Sequence, residues 1–198
     1  MTSDHGGSLY LASASPRRRE LLLQIGVPTR VMPSEIDERV LPGELPRAYV
    51  ERVTCDKVRA GVVKAPGGAV VLAADTAVVL GDNILGKPAD RAHGLAMLDA
   101  LSGQAHSVIT SVAVCRGEDL RLVSVETRVW FRQLSEAEKS AYWDTGEPAD
   151  KAGGYAIQGM GAIFIERIEG SYSAVVGLPL METAALLSEF GVSCWQAP

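Results

Sequence analysis

Asp75 and Thr76 follow directly on the apolar run Val70-Val71-Leu72-Ala73-Ala74. A carboxylate at the end of a buried strand sits where α/β sheets collect ligand groups. A strand-end Asp that caps the next turn explains the residue equally well. Ser13-Ala14-Ser15-Pro16-Arg17-Arg18 reads as a strand passing straight into a helix start. Uncapped backbone N–H groups and small hydroxyls at such a turn suit an anion, and two adjacent arginines add bidentate phosphate contacts. Cations at a helix N-terminus oppose the macrodipole, so a bound anion would account for their placement. A solvated helix start is the alternative.

Lys57 shares the i, i+3, i+4, i+7 stripe of Val50, Val53 and Thr54. It is either a snorkelling surface lysine or an ammonium aimed at a phosphate from an apolar helix face. Lys87 lies in the constrained Gly86-Lys87-Pro88 segment, where a solvated loop charge is the plain reading. The stretch from Lys151 to Gly159 is dense in glycine but has neither the Walker order nor the dinucleotide-binding context. Its glycines permit tight turns, and Gln158 offers both a donor and an acceptor for a base edge. The acidic residues Glu35, Asp37, Glu38 and Asp75 and the basic Arg17, Arg18, Lys57 and Lys87 fall mainly in or beside loops. Hard oxygen ligands for Mg²⁺ beside cations for phosphate charge are what a metal-assisted phosphate-ester site requires, although a solvated charge distribution produces the same mixture. There is no GxSxG elbow, and His5, His93 and His106 form no HExxH-type ligand cluster. His93 is expected on a helix surface and His106 at a strand start.

Positioning these groups requires strands that alternate loosely with helices. Ser8–Ser13 reads as a short buried strand and Arg17–Ile25 as a helix closed by Gly26 at C′. A strand near Thr29–Met32 leads into the acidic loop Glu35–Glu38. A helix starts at Pro46 and reaches about Gly61. Pro66-Gly67-Gly68 breaks the chain before the strand Ala69–Ala74, and a hairpin turns through Gly81-Asp82-Asn83. Asp90 caps a helix carrying Leu95, Leu98 and Leu101 that closes at Gly103. His106–Cys115 and Leu120–Gln133 read as neighbouring antiparallel strands. Ser135 and Glu138 form a capping box for a helix through Tyr142. Strand Ala162–Ile168 follows the glycine-rich stretch, and Pro179 opens a last helix through Met181, Leu186 and Leu187. Strands and helices without a strict βαβ rhythm imply an α/β protein with a mixed sheet.

The 198-residue chain is expected to form one domain over residues 1–198, burying roughly 70% of its unfolded surface without disulfide or metal. Its 47% hydrophobic and 22% charged residues exclude a largely disordered chain. A net charge of −5 disfavours non-specific nucleic-acid binding. Ala69–Ala74 is the longest purely apolar run, far short of the ~20 residues of a membrane span, and neither a signal peptide nor membrane insertion is expected. Cys55, Cys115 and Cys194 are too widely and irregularly spaced for a disulfide framework or a CxxC site. A soluble, reduced, cytoplasmic protein is expected.

Leu9–Arg18, Ala74-Asp75-Thr76, Leu85–Pro88, Leu101-Ser102-Gly103, Lys151–Gly159 and Gly170–Leu180 closely resemble the Maf family, in the family's order and over nearly the whole chain. The resemblance implies a cytoplasmic nucleoside triphosphate pyrophosphatase that uses a divalent cation, Mg²⁺ or Mn²⁺. It also implies a two-lobed α/β fold around a mixed sheet with flanking helices and a central cleft, similar to that of inosine triphosphate pyrophosphatases. The tract Gly153–Gly159 looks like the subgroup acting on dTTP and UTP. By the same resemblance Asp75 is the general base, and Arg17, Thr76 and Gln158 are linked to substrate choice. Ser13, Arg18, Lys57, Lys87 and Glu38 match cleft positions that hold phosphate or metal, with Glu38 and Asp75 as the metal ligands. Ala74, where Gly is common, and Ala174, where Asn is common, depart from the family pattern, the second with a consequence for local turn bonding. A homodimer is the family precedent, and the sequence's own support for it is the apolar C-terminal helix around Leu186, Leu187 and Phe190. The alternative function is a nucleotide-binding regulator of septum formation without significant catalysis.

Overall fold

The structure, a computed structural model, describes residues 9–195. Ser8, in the first expected strand, and His5 lie outside the described residues. The elements run β1 (Leu9–Leu11), α1 (Pro16–Gln24), β2 (Thr29–Val31), α2 (Pro46–Lys64), β3 (Val71–Leu80), β4 (Asn83–Leu85), α3 (Arg91–Leu101), β5 (Ala105–Arg116), β6 (Asp119–Phe131), α4 (Glu136–Asp144), β7 (Ile165–Glu169), α5 (Tyr172–Val176) and α6 (Leu180–Glu189). This is an α/β fold, and its sheet is mixed: β1 pairs in parallel with β2 and β3, whereas β3–β4 and β6–β7 are antiparallel. The described chain divides into two compact units. Residues up to 75, 110–124 and those from 177 form one, and residues 76–109 and 125–176 form the other, so β3, β5 and β6 each contribute to both.

In the first unit, β1 registers Leu9 against Thr29 and Leu11 against Leu72. α1 ends in a Schellman motif: Val27 N–H donates to the Leu22 carbonyl and Gly26 N–H to that of Leu23, both at 2.9 Å. Gly26 at φ +71° supplies the left-handed turn this geometry needs. α2 runs one turn beyond the expected Gly61. A Cβ on Gly61 would lie 2.8 Å from both Ala12 Cβ and Val71 Cγ1, so this glycine marks a close approach of helix to strands and not a helix end. Pro66 stops the helix instead. β5 and β6 are neighbours joined by Gly117-Glu118, a connection so short that it requires antiparallel pairing, as expected. The core holds Leu11, Leu22, Val50, Val53, Leu72 and Leu187, all fully buried.

In the second unit, β3 turns through Gly81-Asp82 into β4, with Leu80 opposite Asn83. Asp90 caps α3 by accepting from His93 N–H at 2.8 Å. Ser135 and Glu138 complete the expected capping box on α4. Phe131, Phe164, Tyr142, Tyr155 and His106 form the aromatic core, with Phe131–Tyr155 centroids 4.8 Å apart.

Three further expectations need correction, and one helix was not expected. β3 does not stop at Ala74 but continues through Leu80, because Thr76-Ala77-Val78-Val79 suits a strand and the Asp75 charge is neutralised inside it. The expected strand Ala162–Ile168 begins only at Ile165, since Met160–Phe164 winds into 3-10 turns. α5 had no expected counterpart. Leu186 and Leu187 on α6 and Phe190 just past its end are buried while Met181 is 73% exposed, so those three do not present a dimer surface.

Candidate functional site

Asp75 is 6% exposed at mid-strand in β3, and Lys57 is 8% exposed on the buried face of α2 beside Val53, Thr54 and Val58. Buried charges need partners, and these two supply one another: Lys57 Nζ lies 2.7 Å from Asp75 Oδ1. It also lies 3.0 Å from Glu38 Oε2, so a single ammonium draws both expected metal-binding carboxylates together. The snorkelling reading of Lys57 is thereby set aside.

Glu38 belongs to an exposed loop that α2 straps down. Tyr49 Oη donates to the Glu38 carbonyl at 3.1 Å and Arg52 Nη2 to the Arg39 carbonyl at 2.9 Å. Arg52 is in turn held by both Glu44 oxygens, at 2.6 and 2.8 Å. Burial, reinforced by the Asp75 and Glu38 charges, pushes the Tyr49 hydroxyl up to about 12, so it remains a proton donor. Tyr49, Arg52 and Glu44 were not singled out from the sequence.

Arg18 is half-buried at the start of α1. Nε donates to the Gly177 carbonyl at 2.9 Å, and Nη1 to Ser13 Oγ at 3.2 Å. Burial lowers its pKa, the nearby Asp75 and Glu38 charges oppose that shift, and Arg17 adds to it. Ser15, the N-cap of α1, makes no side-chain cap bond, and the first turn holds no acid. Basic, uncapped and beside Ser13, this turn keeps the character of an anion site.

Ser13, Arg18, Lys57, Asp75 and Glu38 are therefore brought together within the first unit, with Arg17 next to them. Among the described residues no group of three or more His, Cys, Asp or Glu could hold a metal ion unaided. Asp75 and Glu38 share the Lys57 ammonium, and as a pair of hard oxygen donors they fit a divalent cation of the Mg²⁺ type, which typically takes one or two protein carboxylates and completes its shell with phosphate oxygens and water.

Thr76, Lys87 and Gln158 belong to the second unit. Thr76 follows Asp75 along β3 and is half-buried, while Lys87 and Gln158 are exposed. Gly153 N–H donates to the Gly86 carbonyl at 3.0 Å, tying the Gly86-Lys87-Pro88 segment to the glycine tract. Gly153 has φ +69°, and a Cβ there would lie 2.9 Å from Val78 Cγ1, so both backbone and space require glycine. His93 is exposed as expected, its Nδ1 accepting from Ala89 N–H at 3.2 Å. His106 is buried, bonded through Nε2 to Tyr155 Oη at 2.8 Å, and burial lowers its pKa to about 4. At Ala174 the backbone N–H donates to Ser171 Oγ at 3.2 Å, a bond that does not involve its side chain.

A family model described as "Maf-like protein" matches residues 8–190. A dTTP/UTP pyrophosphatase of Saccharophagus degradans is 52% identical, over 98% of this chain and 93% of its own length. One of Anaeromyxobacter dehalogenans is 55% identical, over 96% and 98%. A solved structure of a nucleoside-triphosphatase / dITP/XTP pyrophosphatase from Mycobacterium abscessus is 14% identical, covers 92% of this chain and 93% of its own, and superposes with a TM-score of 0.48.

Proposed function

Since the chain belongs to the Maf-like protein family, we propose that it hydrolyses dTTP and UTP to the nucleoside monophosphate and pyrophosphate. The observation that carries the chemistry is Lys57 bonded to both Asp75 and Glu38, at 2.7 and 3.0 Å. Asp75, held by Lys57 through Oδ1, takes a proton from the attacking water as general base. The water oxygen bonds to the α-phosphorus, the α–β bridging bond breaks, and pyrophosphate leaves with the bridging oxygen. Arg17, Arg18, Lys57 and Lys87 stabilise charge developing on the phosphates, and Ser13, bonded to Arg18, sits in the anion-binding turn. Asp75 and Glu38 would hold Mg²⁺ or Mn²⁺, which supplies Lewis-acid neutralisation of phosphate charge.

Gln158, with Arg17 and Thr76, selects the substrate. Thymine and uracil present the same O2, N3–H and O4 pattern to an amide, whereas cytosine inverts part of it. The three free cysteines fit a reducing compartment, and cytoplasmic location is part of the proposal. So is a homodimer, formed through surfaces other than the apolar face of α6.

Pyrophosphate release from a panel of triphosphates, with and without Mg²⁺, tests the proposal. dTTP and UTP are expected to exceed CTP and the purine triphosphates by at least ~10-fold in kcat/KM, given about 1–3 kcal/mol for each polar group left unpaired. Gln158→Ala is expected to narrow that gap. CTP or GTP matching dTTP would overturn the pyrimidine selectivity, and binding without release would overturn catalysis.

A further inference from the structure

Gln158 stands at the tip of a turn whose hold on the protein comes from elsewhere. Gly159 N–H donates to the Ala156 carbonyl at 3.2 Å, closing a four-residue turn with Gln158 at its third position. On the near side, Ala156 N–H donates to Tyr142 Oη at 3.1 Å. On the far side, Met160 N–H donates to Glu147 Oε2 at 2.9 Å and Gly161 N–H to Glu147 Oε1 at 3.0 Å. Tyr142 Oη closes the circuit by donating to Glu147 Oε1 at 2.6 Å. One carboxylate therefore accepts three hydrogen bonds, and the flanks of Gln158 are fixed from both sides.

The glycines of the tract are placed for this contact. A Cβ on Gly159 would overlap the Glu147 carboxylate, and one on Gly161 would lie 2.7 Å from Tyr142 Oη. Gly161 and Tyr142 are buried, and the Tyr142 ring packs edge-on against Phe164 at 4.9 Å. A charged acceptor on N–H donors in such surroundings gives bonds stronger than neutral ones, and a turn so held keeps an exposed side chain near one direction.

We infer that Glu147, acting with Tyr142, is a positioning residue for base selection: it clamps the turn 156–161 so that the Gln158 amide is already oriented for the pyrimidine edge. The inference rests on the reading that Gln158 selects the base. Glu147 touches neither the substrate nor Asp75 in this account. Loosening the clamp lowers discrimination and the affinity for the favoured base, while the phosphate chemistry of the first unit continues.

The test compares wild-type protein with Glu147→Gln, Tyr142→Phe and Gln158→Ala, measuring kcat and KM for dTTP and CTP and amide exchange at Met160 and Gly161. In Glu147→Gln an amide N–H₂ meets backbone N–H groups, so one flank must open. The dTTP:CTP ratio of kcat/KM is expected to fall at least ~5-fold, through a higher KM for dTTP with kcat within about 2-fold, together with faster exchange at the two amides. Tyr142→Phe, which deletes one oxygen and keeps the ring packing, is expected to act in the same direction and carries the test if Glu147→Gln does not fold. A merely structural defect would lower the active fraction equally for both substrates and leave the ratio unchanged. The inference is overturned if Gln158→Ala collapses the ratio but neither clamp variant moves it. If Gln158→Ala itself leaves the ratio unchanged, the base-selection reading fails first and this inference with it.

Discussion

Replacing Asp75 by Asn removes one of the two carboxylates on Lys57 and leaves the Glu38 bond at 3.0 Å in place. An Asn oxygen can still accept from the ammonium, so the fold is expected to survive with a melting temperature near that of the wild type. Turnover of dTTP is expected to fall by about 10²–10⁴-fold, the usual worth of a general base, while nucleotide binding persists. Steady-state rates and a thermal melt check both halves, and a variant turning over within about 3-fold of the wild type would remove Asp75 from its role. At this scale part of the candidate site was legible. Asp75 stood out because a carboxylate directly after six apolar residues suits a ligand group as well as a turn cap, and Arg17-Arg18 because a bound anion would account for cations at a helix start. The partner of Lys57 was not legible, since a helical stripe shows that a side chain faces inward but not what it meets. Glu44, Arg52 and Tyr49 gave no signal because they bond a loop backbone, which leaves no periodic trace. Glu147 was silent for the same reason.

α2 carries both Lys57 and the loop strap, and Gly61 sets its distance from β1 and β3. Gly61→Leu is expected to lower stability by about 1–3 kcal/mol through overpacking, even though glycine is the poorer helix former. A urea titration reads this as a lower midpoint, and an unchanged or raised midpoint would refute the close-approach account. Elements with local end signals were legible to within about two residues: Asp90 and the Ser135–Glu138 box open α3 and α4, and Gly26 closes α1. Those whose limits depend on distant partners were not. β3 runs past Asp75 because Lys57 neutralises the charge from another element. Met160–Phe164 leaves the extended conformation where the adjacent Met160 and Gly161 amides turn to the Glu147 carboxylate. α5, five residues opened by Ser171, is too short to show a helical period.

Across the whole molecule, the mixed α/β class followed from the irregular alternation of strands and helices. The division of β3, β5 and β6 between two units did not, because it depends on which half of each strand finds partners far along the chain. Among the described residues no helix is long and apolar enough to cross a membrane, and all three cysteines are free. The proposed reaction cleaves the α–β anhydride of a pyrimidine triphosphate. Phosphorus NMR of wild-type protein turning over dTTP with Mg²⁺ tests it most directly. dTMP and inorganic pyrophosphate are expected in equal amounts, with no dTDP; accumulation of dTDP with orthophosphate, or an unchanged dTTP spectrum, would refute that cleavage.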